Sequence, residues 1–176
     1  MKRMICAIAA IFIAVSTFAQ TSLLQQRNSI VEVDYNNETL EVFSTEKDGQ
    51  LSYYLSAGRV GIGNEVIQVY IDPLTEIFIP LGNTLADAIK TLQDLQTFCK
   101  NPSGTTMTMD CCISVGLPND NLEPVTVTAR KILLSRRLEF SVNRDGFLRA
   151  NFIPRSNLNS MVTSIKIYSK LHPSEK

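Results

Sequence analysis

The stretch Ile30–Ser44, IVEVDYNNETLEVFS, decides the fold class. Val31, Val33, Leu40 and Val42 alternate with Glu32, Asp34 and Glu41, the period of two that belongs to strands with one buried face. Asn36-Asn37 supplies a two-residue loop, because asparagine tolerates the positive φ such a turn needs. That loop pairs Val33 with Leu40 and Val31 with Val42. It also sets Glu32 directly opposite Glu41, with Asp34 beside them.

The same alternation recurs outward from this hairpin. Lys47-Asp48-Gly49-Gln50 is a turn into Leu51–Ala57, and Val66–Asp72 and Leu74–Pro80 are β-rich runs divided at Asp72-Pro73. Met107, Met109, Cys111, Ile113 and Val115 alternate against Thr106, Thr108, Asp110, Cys112 and Ser114. Val125–Leu134 is a strand of mixed pattern. Leu138–Asn143 and Phe147–Ile153 form a hairpin across the loop Arg144-Asp145-Gly146, pairing Val142 with Leu148, Phe140 with Ala150 and Leu138 with Phe152. Met161–Ser169 reads as a final strand, after a loop or short turn over residues 154–160.

A helical period occurs once. Leu85, Ala88, Ile89, Leu92, Leu95 and Cys99 make a single apolar stripe over about residues 84–100, with Asn83 or Thr84 to cap it and Asn101-Pro102 to stop it. The expected fold is therefore mainly β (α+β). It has antiparallel, β-sandwich-like sheets of about nine strands and a single α-helix packed on one side.

At 176 residues, 44% hydrophobic and 19% charged, the chain suits one globular domain. Lys2 and Arg3, the apolar run Ile5–Val15 and Thr17-Phe18-Ala19 read as a secretory signal peptide over residues 1–19. Cleavage near Ala19-Gln20 would release a single β-rich domain, residues 20–176, to the periplasm, the cell surface or the medium. No later apolar run approaches the ~18–20 residues of a transmembrane span.

Charge is unevenly spread. Residues 20–123 carry 14 acidic and 5 basic side chains, a net of −9, whereas residues 124–176 carry 3 and 10, a net of +7. Such asymmetry marks a basic surface for an anionic partner, unless the halves pack together and cancel. Nucleic acid is disfavoured by the overall balance, by export and by the lack of aromatics among the basic residues.

Cys99, Cys111 and Cys112 remain after cleavage in a compartment that permits disulfides. Cys99 lies on the helix stripe and Cys111 on the apolar side of the next strand, so a Cys99–Cys111 bridge is expected. Cys99–Cys112 and three reduced core thiols are the alternatives. No C-x-x-C spacing is present, and the only histidine, His172, lies near the chain end, so neither a metal site nor His-dependent catalysis is expected. No cofactor is implied.

Three groups could carry function. The carboxylates Glu32, Asp34 and Glu41 could serve a glycosidase or bind calcium if a cleft held them; without one they form a solvated strand face with side chains splayed into water. Gly58-Arg59-Val60-Gly61-Ile62-Gly63 lacks the following helix of a phosphate loop and reads as a hairpin connection or bulge, with Arg59 as a recognition contact. Arg137 and Arg149 share a polar face with Glu139 and suit bidentate contact with anions, unless Glu139 satisfies its arginine neighbours on an exposed face. The expected function is an exported, non-enzymatic binding or accessory domain that meets a protein or glycan partner through loops or a sheet edge. The alternatives are a carboxylate-dependent glycan hydrolase and a structural subunit of a cell-envelope assembly, for which weak self-association would follow.

Overall fold

The computed structural model describes residues 26–35, 38–63, 68–70, 74–144 and 146–173. The expected leader, the Asn36-Asn37 turn and the Asp72-Pro73 break lie outside the described residues. The fold is mainly β, with elements in the order β1 (Arg27–Tyr35), β2 (Glu38–Lys47), β3 (Gln50–Arg59), β4 (Gly61–Gly63), β5 (Gln68–Tyr70), β6 (Thr75–Gly82), α1 (Leu85–Phe98), β7 (Thr106–Val115), β8 (Leu122–Ile132), β9 (Ser135–Arg144), β10 (Gly146–Pro154) and α2 (Arg155–Leu171).

All strand pairings are antiparallel, and the strands join into one ten-stranded sheet of order β1-β2-β3-β6-β7-β8-β9-β10-β4-β5, where two packed sheets were expected. The reason lies at Gly58–Gly63. This stretch is not a hairpin connection: β3 passes through Val60 alone into β4, and β4 pairs with β10 at Ile62↔Leu148 and Gly61↔Arg149. The strands from β3 round to β4 therefore close a circuit. A register shift between Ser56 and Arg59, with Gly58 at φ +100°, supplies the bend.

The hairpin registers follow the alternation closely. Val31 faces Val42, Glu32 faces Glu41 and Val33 faces Leu40. In β9–β10, Val142 faces Leu148 as expected, but a bulge between Arg149 and Phe152 slips the remainder by one residue. Leu138 then faces Ile153, which enters the core, while Phe152 sits opposite Glu139 on the other face.

Helix α1 forms as its stripe dictates. Leu85, Ala88, Leu92 and Leu95 are buried, and the Thr84 hydroxyl accepts the Asp87 backbone N–H at 3.1 Å as N-cap. The expected strand Met161–Ser169 is instead the C-terminal part of α2, a second helix. Its β-branched residues suggest a strand, yet Leu158, Met161, Val162 and Ile165 fall at i, i+3, i+4 and i+7 and are the buried ones. Both helices pack into one core with Val42, Leu55, Ile79, Val127 and Phe140 from one face of the sheet.

Cys99, Cys111 and Cys112 are free and buried, so the expected Cys99–Cys111 bridge does not form. The two do share the core cluster, but they belong to opposite ends of β8. Arg136, opposite Lys131, donates to the carbonyl of Lys100 beside Cys99, whereas Cys111 pairs with Glu123. Lys131 and Glu123 are eight strand residues apart, about 26 Å, against the ~6 Å between bridged α-carbons.

Candidate functional site

Period-two alternation places Glu41, Phe43 and Thr45 of β2 on the sheet face opposite the helix-packed core, and Ser52, Tyr54 and Ser56 of β3 sit directly across from them. Phe43, Phe78 and Cys112 form a small buried cluster on that face, with Tyr54 against it. The Arg27 guanidinium lies over this cluster, 4.3 Å from the Phe43 ring centroid and 5.4 Å from that of Phe78.

Held there, Arg27 reaches across the strands. Its Nε donates to Glu41 Oε2 at 2.6 Å, Nη1 and Nη2 each reach a Glu76 oxygen at 3.3 Å, and Nη1 also donates to the Gly116 carbonyl at 3.1 Å. Ser56 Oγ donates to Glu76 Oε2 at 2.5 Å. Burial opposes the charge on Arg27, but the hydrogen bonds and charges of Glu76 and Glu41 outweigh it and raise the guanidinium pKa above its ordinary value.

A cleft of about 450 Å³ opens beside this network. Its walls are Arg27, Glu38, Thr39, Glu41, Gly58, Arg59, Leu74, Glu76, Val115 and Gly116, from β1, β2, β3, β6 and the end of β7. The bend at Gly58 brings Glu38 under Arg59: Glu38 Oε2 accepts the Arg59 backbone N–H and Oε1 accepts Nε, both at 3.1 Å. Three carboxylates and two guanidiniums thus line one cleft, every one of them tied to an opposite charge.

No family model, curated protein or solved structure matches this chain.

A second concavity, about 420 Å³, lies on the same face beyond Tyr54, with Thr45, Gln50 and Ser52 on its strand side and Pro118, Asn119 and Asp120 opposite. Lys47 Nζ and Asp120 Oδ2 meet at 2.5 Å at its edge. The Cys112 thiol accepts the Asn119 backbone N–H at 3.0 Å, which ties that loop to the sheet. Burial, and then the charges of Cys112 and Asp120, push the Tyr54 phenol up.

The residues singled out from sequence are only partly brought together. Glu41 and Arg59 line the first cleft, whereas Glu32 and Asp34 are exposed on β1, hydrogen-bonded to Ser29 at 2.9 Å and Thr39 at 3.1 Å. The like-charged Glu32 and Glu41 coexist because each has its own partner. Arg137 and Arg149 belong to another part of the sheet, where their guanidiniums flank the Phe152 ring at 5.2 and 5.3 Å. Glu139, almost wholly buried there, accepts from Arg130 at 2.7 Å and contacts Arg149 at 2.8 Å, so it does satisfy two arginine neighbours, on a packed face instead of an exposed one. His172 stacks on Tyr168 at 4.0 Å and lines neither cleft.

Sequence reading missed Arg27, Glu38 and Glu76. The available signal was Glu76 alternating with Phe78, a polar position on a strand whose Ile77 and Ile79 face the core. Its pairing with Arg27, 49 residues away, depends on a strand order that local pattern does not specify. Among the described residues no group of three or more His, Cys, Asp or Glu side chains is placed to hold a metal ion, and no helix is long and apolar enough to cross a membrane.

Proposed function

We propose that the chain is an exported, non-enzymatic binding domain that holds a hydroxyl-rich ligand, a segment of glycan, in the cleft between Arg27 and Arg59. The supporting observation is the fixed state of the polar groups. Arg27 is clamped by Glu41, Glu76 and the Gly116 carbonyl above an aromatic floor, and Arg59 by Glu38. A preorganised set of donors and acceptors avoids the ordering cost that weakens binding by mobile side chains. Because the charges are already paired, a ligand that offers alternating donors and acceptors without net charge suits the cleft better than an ion. Leu74 and Val115, 65% and 58% exposed, supply apolar edges at the mouth for the carbon face of such a ligand.

The hydrolase reading asks more of the site. A glycosidase needs one carboxyl that donates a proton to the leaving group, whereas Glu38, Glu41 and Glu76 are all engaged as acceptors from arginine. The assembly reading relies on a sheet edge. β1 ends the strand order, but a bulge between Ser29 and Val31 and the exposed Glu32 and Asp34 blunt it against strand addition.

The test is a screen of the purified mature chain on an array of neutral and acidic polysaccharides, followed by calorimetry. Retention of a neutral glycan, weakened about tenfold or more in Glu76→Gln with folding preserved, is the expected result. Absence of retention across the array overturns the reading, as does release of shortened products from the bound glycan. Export is tested separately by expressing the whole chain and sequencing the N-terminus of the exported protein, which is expected to start near Gln20.

A further inference from the structure

We propose that the β8–β9 turn is a membrane-contact tip that seats on an anionic lipid surface, independently of the glycan cleft. Leu133 and Leu134 are 88% and 97% exposed, the most exposed large apolar side chains among the described residues. A turn is the place where polar residues and glycine are normally found, and this chain builds one that way: Asp48-Gly49, at φ 53° and 77°, joins β2 to β3. The β8–β9 turn instead sets Leu133 at φ 53°, a conformation that a branched apolar residue adopts only at a cost. Two leucines so exposed, one of them at positive φ, bury little apolar surface within the fold. Their chemistry is met when they leave water.

The surroundings identify what they enter. One register step below the turn partner Ile132↔Ser135, Lys131 stands directly opposite Arg136, a like-charge pair that is unfavourable without an anion nearby. Arg136 Nη1 donates at 2.8 Å to the carbonyls of Lys100 and Asn101, which brings exposed Lys100 to the same end of the molecule. Arg155, at the start of α2, is also there, since it directly follows Pro154, which pairs with Arg137, the neighbour of Arg136. No acidic residue occurs from 124 to 138.

Among the described residues no ion pair joins this basic collar to the acidic half. Arg27, Lys47, Arg59 and Lys90 pair within residues 20–123, and Arg130 and Arg149 pair with Glu139 inside the basic half. A convex apolar tip ringed by cations matches a bilayer surface, where hydrocarbon lies just beneath a layer of phosphates. A protein partner would need a pocket for both leucines and acidic groups around it.

Co-sedimentation of the mature chain with vesicles of equimolar phosphatidylcholine and phosphatidylglycerol tests this, with pure phosphatidylcholine vesicles and soluble poly-glutamate as comparisons. Binding to the anionic vesicles, reduced by salt, is expected. Lys131→Ala weakens it about fivefold, and the double variant Leu133→Asn/Leu134→Ser at least about tenfold. The double variant is expected to keep a urea midpoint no lower than that of the parent chain, because asparagine accepts positive φ. Failure to sediment with anionic vesicles overturns the proposal. So does binding that is indifferent to the leucines, which would mark general surface charge, or leucine-dependent binding to poly-glutamate as tight as to vesicles, which would mark an acidic polypeptide. None of these outcomes bears on the glycan array.

Discussion

Gly58 and Glu38 occupy adjoining space that one methyl group would close. A β-carbon built on Gly58 falls 2.8 Å from Glu38 Oε2 and 2.8 Å from Asn151 Cβ, and φ at Gly58 is +100°. The missing side chain thus lets the β3–β4 bend pass close to β10 and lets Glu38 reach the Arg59 backbone. Gly58→Ala is expected to cost about 2–4 kcal/mol, the sum of backbone strain and overpacking. It is read from urea unfolding. A loss below about 0.5 kcal/mol would mean that the bend does not depend on the close approach of these three residues.

Arg27 is held by two different interactions, and two substitutions separate them. Arg27→Met keeps contact with Phe43 but strands the carboxylates of Glu41 and Glu76, both partly buried. Arg27→Lys keeps a charge but loses the planar fork that reaches Glu41, Glu76 and the Gly116 carbonyl together. Unfolding free energies are expected to fall by about 1–3 kcal/mol in Arg27→Met and by less in Arg27→Lys. If the two variants lose equally, geometry rather than charge is what Arg27 supplies.

The thiols set the alkaline behaviour. Burial pushes the Cys99 thiol above its ordinary pKa, against the opposing charges of Arg155 and Arg136, and burial likewise raises Tyr54. A raised pKa on an acid that is neutral when protonated means that the folded state favours the protonated form. That stability is fully present below the pKa of the unfolded chain and is lost as pH rises through the folded value. The urea midpoint is expected to hold to about pH 8 and decline above about pH 9, with a shallower decline in Cys99→Ala. Cys99, Cys111 and Cys112 are buried and unbridged, so dithiothreitol leaves the midpoint unchanged and Ellman's reagent reacts with these three only on unfolding. A midpoint that drops on reduction would reveal a bridge.

Local pattern carried far into this fold and then stopped for physical reasons. Wherever two strands are consecutive and an alternating face is buried, side chains fix the register, as at Val31↔Val42 and Val142↔Leu148. Where the pairing is remote, as between β3 and β6 or β10 and β4, nothing within either segment specifies its neighbour. Two of the cleft's five charged groups were legible, Glu41 from the alternation of its strand and Arg59 as a contact in the glycine-rich stretch that follows Ala57. The rest was hidden because Arg27, Glu38 and Glu76 meet only once the sheet curls round the Gly58 bend.

The C-terminal helix is the sharpest disagreement between local preference and packing, and it gives the cleanest test. Val162, Thr163, Ile165 and Ile167 favour a strand by β-branching, and a strand would set Ile165 and Ile167 on one face. A helix turns them about 200° apart, and in α2 Ile165 is fully buried while Ile167 is 53% exposed. The neighbours Leu158, Met161 and Val162 are buried with Ile165, so core packing decides the conformation against propensity. Ile165→Ala is expected to cost about 2–5 kcal/mol through lost burial and a residual cavity, and Ile167→Ala no more than about 0.5 kcal/mol. Comparable losses at both positions would restore the strand, because only an alternating face buries residues two apart together.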